Sequence, residues 1–253
     1  MRLLLLIACC LLMAACHRPT DDLTLLRHAD ALWQTDADST AALLAQVRRP
    51  ELLPREELLH YGWLRACQHY ADHTSMTEDS LVLPAFDYFT QRDDTARLLT
   101  SYLLKAAYLH ARNRHDEELA VLDSGSVRAL ALGDSIWAGD YQAEKGECYV
   151  YTYKDYRRGA DSYRAALRLR DTADNHFSLG ICLGLLKADS ALWHTDLSVQ
   201  MAMQRGDTAR ALHYLRNYAQ MMVYVASDYR AAIRQFHRLM TLTDRADVLD
   251  ISC

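Results

Sequence analysis

The chain has 253 residues, about half of them hydrophobic, which is enough to bury a large core. It has only nine glycines and four prolines, and no Asn-Gly or Asp-Gly hairpin signal, which argues against an all-β fold. The net charge of −5, with both signs interspersed, lacks the basic stripe of a nucleic-acid-binding surface, so we expect no nucleic-acid partner.

Residues 1–15 are typical of a cleaved signal peptide. Arg2 supplies the positive charge, residues 3–13 are apolar but too short to span a bilayer, and Ala14-Ala15-Cys16 offers small residues for cleavage. The stretch resembles a bacterial lipoprotein signal, which implies that cleavage leaves Cys16 as the lipid-bearing first residue and residues 16–20 as a tether. Cys9 has only about six apolar residues before it, so Cys16 is favoured. An ordinary secretory signal without lipid is the alternative.

Twelve helices are predicted after the tether, joined throughout by connections of two to six residues. Asp36 or Asp38, Asp134 and Asp155 are expected to cap helix starts, because a carboxylate there accepts from unpaired backbone N–H groups. In chain order the predicted helices cover 21–33, 36–47, 54–70, 77–89, 93–112, 115–132, 134–154, 155–170, 172–187, 189–204, 207–227 and 228–243.

Two internal repeats set the length of the repeating unit. The apolar and small positions of 155–169 return 73 residues later in 228–242, with Tyr156 matching Tyr229 and Tyr163 matching Phe236. A second match joins 94–99 to 207–212 at an offset of 113 residues. Both offsets fit a unit of about 36–38 residues. We expect degenerate helical repeats over 21–132 and regular repeats over 133–253, in one continuous array.

The regular units, 135–170 and 207–243, resemble the tetratricopeptide repeat in their Tyr–small–aromatic–Ala–Leu second helix. The usual terminal proline is absent, since Asp171 and Asp244 close these helices. The resemblance implies an all-α fold, a superhelical solenoid of about six antiparallel helix hairpins. The small pair Gly180 and Gly184 is expected to allow close helix packing rather than dimerisation in a membrane.

The whole layout is similar to tetratricopeptide lipoproteins of Gram-negative envelopes. The matching segments are Ala29-Asp30-Ala31-Leu32, then Asp38-Ser39 before a Leu pair, and then Glu78-Asp79-Ser80-Leu81-Val82. This resemblance implies a lipid-anchored protein of the cell envelope, at the outer membrane. Longer relatives continue into a membrane span and a signalling or DNA-binding segment. Because residues up to Cys253 contain neither, we expect this chain to act by binding alone or by handing on a partner.

Repeat arrays of this kind bind an extended peptide or a helix along their concave groove. The helical period makes five tyrosines and two polar residues candidates for that groove, although packing between helices explains each tyrosine equally well. The candidates are Tyr102, Tyr149, Tyr153, Tyr218 and Tyr224, with Arg216 and Asn217 as polar partners.

No catalytic, nucleotide-binding or metal-binding motif is present in the sequence. His69 and His73 are spaced i, i+4 and could hold a metal, but two solvated histidines near a helix end explain them better. The acid pairs at 93–94 and 117–118 stand at helix starts, where acids belong, and Cys148 has acidic neighbours that disfavour a reactive thiolate. Cys148 and Cys182 are expected to be buried thiols rather than a disulfide.

We therefore expect a non-catalytic, lipid-anchored scaffold that binds a protein or peptide partner, with no catalytic residue, metal or cofactor. The alternative from another class is an α-helical envelope enzyme or small-ligand-binding protein, which would need a cavity lined by converging acids or histidines. A subunit of a larger transport or signalling complex differs from the scaffold only in its partner.

Overall fold

The computed structural model describes the backbone of residues 19–250, and every regular element in that range is helical. Twelve α-helices form there, so the predicted all-α fold is confirmed. A 3₁₀ turn at Pro50–Leu52 and a π-helical segment at Cys148–Thr152 complete the regular structure of this range. The predicted signal peptide, Cys16 and Cys253 lie outside the described residues. Among the described helices, none has the length and apolarity needed to cross a membrane.

The chain divides into two compact units, one ending at Glu118 and the other beginning at Leu119. The first contains α1 (Pro19–Leu32), α2 (Ala37–Leu44), α3 (Arg55–Ala71), α4 (Val82–Phe89), α5 (Thr95–Ala111) and the first turn of α6 (His115–Ala131). The second contains the rest of α6, α7 (Ser135–Glu147), α8 (Tyr156–Leu169), α9 (Ala173–Leu185), α10 (Ala191–Gln204), α11 (Thr208–Tyr224) and α12 (Tyr229–Asp250). The expected change of repeat type at 132/133 stays a prediction.

Aspartates begin six of the described helices. Each accepts a hydrogen bond on its carboxylate from the backbone N–H three residues later, at 2.8–3.0 Å. This satisfies a donor that the helix leaves unpaired. The six caps are Asp36, Asp94, Asp134, Asp155, Asp207 and Asp228. The predicted caps at Asp36, Asp134 and Asp155 are confirmed.

An aromatic cluster forms the centre of the first unit. Trp63 of α3 is only 1% exposed and meets the rings of Trp33 and Phe89 with centroids 4.8 and 5.3 Å away. Its indole Nε1 donates to Ser101 Oγ of α5 at 2.8 Å, so the buried N–H is satisfied. Aromatic edge contacts and a paired indole fix how α3 and α5 pack.

The guanidinium of Arg97 lies against this aromatic cluster. Its central carbon is 5.5 Å from the Trp33 ring centroid and 5.6 Å from that of Trp63. Nη2 contacts Asp30 at 2.8 Å and Nη1 contacts Asp94 at 2.6 Å. Burial alone would lower the pKa of Arg97, but the hydrogen bond that it donates to Asp94 and the nearby Asp30 charge hold that pKa above its usual value. The cation therefore belongs to the core of this unit.

In the second unit, consecutive helices pack against one another from α7 to α12. The small residues of α8 allow this closeness. A Cβ on Gly159 would lie 2.6 Å from Val150 and 3.4 Å from the Cys182 sulfur, and the Tyr163 ring fills the space beside Gly146. Cys182 is a reduced thiol, as are Cys67 and Cys148, and its burial raises its pKa to about 11.

Side-chain contacts between residues 35–38 positions apart recur in both units. Such contacts are expected when each helix touches its equivalent one repeat later, so their spacing agrees with the repeat length of 36–38 residues. They join Trp63 to Ser101, Glu56 to Arg92 and Arg112 to Thr77 in the first unit, and Asp174 to Arg210 and Met203 to Arg238 in the second.

Two connections in the first unit depart from the prediction of two to six residues throughout. Residues 45–54 and 72–81 each form a connection of ten residues. The first contains the 3₁₀ turn, and the second buries Met76. The helix expected to start near Thr77 begins at Val82, because the Asp79 carboxylate pairs with His69 at 2.8 Å instead of capping the chain.

The prediction that His69 and His73 share one helical face is also wrong. Helix α3 ends at Ala71, and His73 follows it in the left-handed backbone conformation, with φ of 51°. His69 lies between Asp79 and Arg65, the latter 3.2 Å from its Nε2. The two histidines therefore do not form an i, i+4 pair on one helix.

Candidate interaction surface

Large apolar side chains that stay exposed are concentrated in the second unit. Among the described residues, fourteen of the fifteen such side chains lie there, and Leu52 is the one in the first unit. Exposed apolar patches on soluble proteins commonly mark interaction sites. The second unit is therefore where a partner-binding surface is to be sought.

Four of these side chains form one stripe along the last helix. Tyr229, Ile233, Phe236 and Met240 follow the spacing i, i+4, i+7 and i+11, which places them on one helical face. All four are exposed, Ile233 to 55% and Phe236 to 36%. We call them the α12 stripe.

A different face of α12 holds the helix to its neighbour. Ala231 and Ala232 are buried and cluster with Met222 of α11. Asp228 accepts from the backbone N–H of Ala231 at 2.8 Å and so anchors the first turn. The helix is thus attached through its small residues, while the α12 stripe beside them stays open.

The internal repeat allows the exposed α12 stripe to be compared with the equivalent positions of α8. Positions 160 and 163 of α8 correspond to 233 and 236 of α12 at the offset of 73 residues. Ala160 and Tyr163 are 0% and 2% exposed and cluster with residues of α9, including Leu179. Because the Tyr163 ring also lies against Gly146 of α7, the α12 stripe is equivalent to a face that the preceding and the next helix bury together in this unit.

A basic rim accompanies the α12 stripe. Four exposed basic side chains stand on the same helix, and the sequence has no Asp or Glu between 229 and 240. These are Arg230, Arg234, His237 and Arg238. Arg238 Nη2 lies 3.0 Å from the Met203 sulfur of α10. By the helical period these side chains lie to one side of the α12 stripe, and an apolar stripe with basic side chains along one edge favours a partner that carries acidic side chains.

The structure brings two of the predicted groove tyrosines together. Tyr149 lies in the π-helical segment and Tyr153 directly after it, with ring centroids 6.1 Å apart. Arg158 stacks over Tyr149 at 5.7 Å, and Tyr149 is half-buried, whereas Tyr153 is exposed. The intervening Tyr151 is exposed as well, and the sequence analysis did not single it out. π-Helical segments are frequent at functional sites.

The other predicted groove residues of the second unit lie on α11. Arg216 and Asn217 both turn toward His213, Asn217 donating to its carbonyl oxygen at 2.8 Å. Tyr218 is half-buried against the apolar clusters of this unit, and burial raises its pKa. Tyr224, the last residue of α11, is exposed. Tyr224 is thus available to a partner, whereas Tyr218 contributes to packing.

Tyr102 belongs to the first unit, where it packs edge-on against Phe86 with centroids 5.0 Å apart. An open cleft of about 450 Å³ lies between α3 and α4 in the same unit. Glu56 and Arg92, which line it, pair with each other at 3.0 Å, and the Tyr88 hydroxyl donates to Glu56 at 3.2 Å. Two of the four charged residues that line this cleft are therefore paired with each other.

Three of the four acids at 93–94 and 117–118 have structural partners. Asp94 caps α5 and pairs with Arg97, and Glu117 binds Arg114 through two contacts of 2.6 and 2.7 Å. Glu118 contacts two histidines, which sequence reasoning did not connect with it.

Two histidines of the second unit face each other. His176 of α9 and His194 of α10 have Nδ1 atoms 2.8 Å apart, and Asp171 lies 2.9 Å from Nε2 of His176. The two rings cannot both be fully protonated without bringing two N–H groups together. Burial, then His176 and Arg164, lower the pKa of His194 to about 4.

Acidification should therefore destabilise the second unit. Between pH 6.5 and about 4 the unfolded chain binds a proton on His194 that the folded chain excludes, so stability is retained above 6.5 and lost as the pH falls. For a half-exposed ring we expect a loss of roughly 1–2 kcal/mol after allowing for solvent screening. Urea unfolding at pH 7 and pH 5 measures this loss of stability. In the control, His194→Asn, the free energy of unfolding should depend less on pH. An equal pH dependence in both proteins would contradict the assignment.

No protein-family model matches the sequence, and no curated protein is significantly similar to it. Among solved structures, the crystal structure of BtubC (BKLC) from P. vanneervenii is similar to this chain with a TM-score of 0.63. The similarity covers 88% of this chain and 92% of that one, at 14% sequence identity. At such low identity the likeness concerns the helical fold alone.

Proposed function

We propose that this protein is a non-catalytic, lipid-anchored helical-repeat scaffold that binds a protein partner in the envelope of a Gram-negative bacterium. The observation that carries the proposal is the α12 stripe, an exposed apolar face equivalent to one that the next helix helps to bury inside the array. A partner helix would occupy the place of that next helix.

The tetratricopeptide form of the array, a superhelical solenoid of about six antiparallel hairpins, is part of this proposal. Its support is the packing of consecutive helices in the second unit and the recurrence of contacts at 35–38 residues. The close approach of Tyr163 to Gly146 supports it too, because a large residue facing a small one is the pattern of the repeat's paired helices.

The chemistry of the α12 stripe defines the partner more closely. Its apolar side chains suit a helix with apolar residues at i, i+3, i+4 and i+7, since such a helix can lie along the stripe. The arginines at 230 and 234 favour acidic residues along one edge of that helix. We therefore propose an amphipathic helix with an acidic flank as the bound element, and association that weakens as salt screens the charges.

Cys16 is the proposed attachment to the membrane. Its position after a small-residue cleavage site supports lipidation, and two or three acyl chains suffice for stable anchoring where one does not. The anchor would place the scaffold at the outer membrane and raise the local concentration of any partner there.

Polar replacement of the α12 stripe should abolish partner binding. We expect Ile233→Ser with Phe236→Ser to reduce the partner recovered by cross-linking in intact envelopes by at least about tenfold, because truncating central apolar anchors costs more than 1 kcal/mol each. The matched control is Leu52→Ser, which changes an exposed apolar residue of the first unit. Both altered positions of the α12 stripe are exposed, so folding should be preserved, which circular dichroism checks.

The same pull-down with Cys16→Ala tests the anchor, and we expect loss of the partner when the lipid is removed. Recovery of the same protein by the double serine variant would contradict binding through the α12 stripe. If a small molecule co-purified and no protein were captured in any arm, the scaffold proposal would fall. The cleft between α3 and α4 would then become the candidate site.

A further inference from the structure

The turn between α5 and α6 in the first unit brings three potential metal ligands together, two histidines and one glutamate. Only residues 112–114 connect the two helices. Asn113 adopts the left-handed conformation, with φ of 57°, and the N–H of Arg114 donates to the carbonyl of Leu109 at 3.0 Å. This tight turn holds His110, in the last turn of α5, beside His115 and Glu118 at the start of α6.

The three side chains converge on one point. His110 Nδ1 lies 3.0 Å and His115 Nδ1 also 3.0 Å from Oε2 of Glu118. One ligand atom from each residue lies within 4.8 Å of the others. On a tetrahedral zinc ion with bonds of about 2.0–2.1 Å, neighbouring ligand atoms are about 3.3 Å apart. The two distances from imidazole nitrogen to carboxylate oxygen are therefore within a few tenths of an ångström of those that an ion requires. The 4.8 Å limit on the third separation means that the two imidazoles would close by at most about 1.5 Å around the ion.

Burial and charge favour a cation at this point. The Glu118 side chain is only 7% exposed, and a buried carboxylate needs a compensating charge or strong hydrogen bonds. The nearest arginine in sequence, Arg114, is held by both oxygens of Glu117. The imidazoles of His110 and His115 are thus the groups that face the Glu118 carboxylate in the structure.

We propose that His110, His115 and Glu118 bind a divalent transition-metal ion, Zn²⁺ in the first place. Two imidazoles and one carboxylate suit zinc, whereas Mg²⁺ and Ca²⁺ prefer oxygen ligands alone. The His110 ring is half-exposed, which gives the ion a path from solvent and leaves room for a water as fourth ligand. On binding, the ion takes the place of the hydrogen bonds between the imidazoles and the carboxylate.

Such an ion would fasten the end of α5 to the start of α6. It replaces hydrogen bonds between side chains by coordinate bonds across a three-residue turn. Metal binding to the folded chain raises its thermal midpoint in proportion to the logarithm of the free metal concentration. This role is independent of the α12 stripe, which belongs to the other unit.

Zinc binding to the full-length protein, purified without a histidine tag, tests the proposal. Competition with a chromophoric chelator at pH 7.5 should show one Zn²⁺ per chain, and zinc should raise the thermal midpoint. His110→Ala should weaken binding more than about tenfold, since losing a ligand costs at least as much as losing one of its supporting hydrogen bonds. Replacement of an exposed ring should leave the apo fold intact.

His28→Ala, which removes an exposed histidine from α1 of the same unit, is the matched control and should bind as the wild type does. Glu118→Gln keeps the shape of the side chain and removes its charge, and it too should weaken binding. Absence of stoichiometric zinc binding by the folded wild-type protein would overturn the proposal. Equal affinity in wild type and His110→Ala would overturn it as well, because the ion would then lie elsewhere.

Discussion

Trp63→Ala should destabilise the first unit by about 3–5 kcal/mol, the largest single effect that we expect from a point substitution in this protein. The side chain is 1% exposed and meets Trp33 and Phe89, so its removal opens a cavity at the centre of the aromatic cluster. It also removes the hydrogen bond to Ser101 and one of the rings beside Arg97. The cation would then face a cavity instead of an aromatic surface.

Urea unfolding followed by far-ultraviolet circular dichroism measures the loss without depending on tryptophan fluorescence. Trp193→Ala is the matched control, since the same residue type is exposed in the second unit. We expect it to change the free energy of unfolding by less than about 1 kcal/mol. Similar losses in the two variants would show that Trp63 is not the centre of the core.

Gly180→Ala and Gly184→Ala should change the free energy of unfolding by different amounts or in opposite directions, although both glycines lie on α9. A Cβ at Gly180 would stand 3.1 Å from the backbone nitrogen of Thr195 and 3.2 Å from the Ala191 carbonyl oxygen, so α10 would have to move. At Gly184 the obstacle is the methyl end of Met221, 2.6 Å away, which can rotate aside.

We therefore expect Gly180→Ala to cost about 1–3 kcal/mol through overpacking. Gly184→Ala should change stability by less than about 1 kcal/mol, because its clash is relieved by rotation and alanine favours the helix. Thermal or urea unfolding of the two variants, purified in parallel, provides the comparison. Equal destabilisation by both substitutions would contradict close backbone packing at Gly180.

The helices and their caps could be predicted because the information is local. A carboxylate such as that of Asp155 needs only the N–H three residues later, and the apolar period identifies the face that packs. The start of α4 could not be predicted in this way. Asp79 has the sequence position of a cap, but His69 from another helix takes its carboxylate.

The candidate surface was predicted less well for the same reason. Tyr229 and Phe236 were recognised as repeat positions, yet whether they are buried depends on which helix lies over them, as α9 lies over Tyr163. The periodicity of a single helix does not contain that information. Likewise, the sequence spacing of His110, His115 and Glu118 does not show that they meet, because that depends on the three-residue turn that brings the first turn of α6 to the end of α5.

The packing of consecutive helices in the second unit has a consequence for how this unit folds. Its contacts join residues close in sequence, so little loop entropy is lost before they form and folding should be fast. In such arrays a terminal helix can open while the interior stays folded, unless something caps it. A partner helix on the α12 stripe would supply that cap. Binding of the partner and ordering of α12 would then be thermodynamically coupled, so that each favours the other.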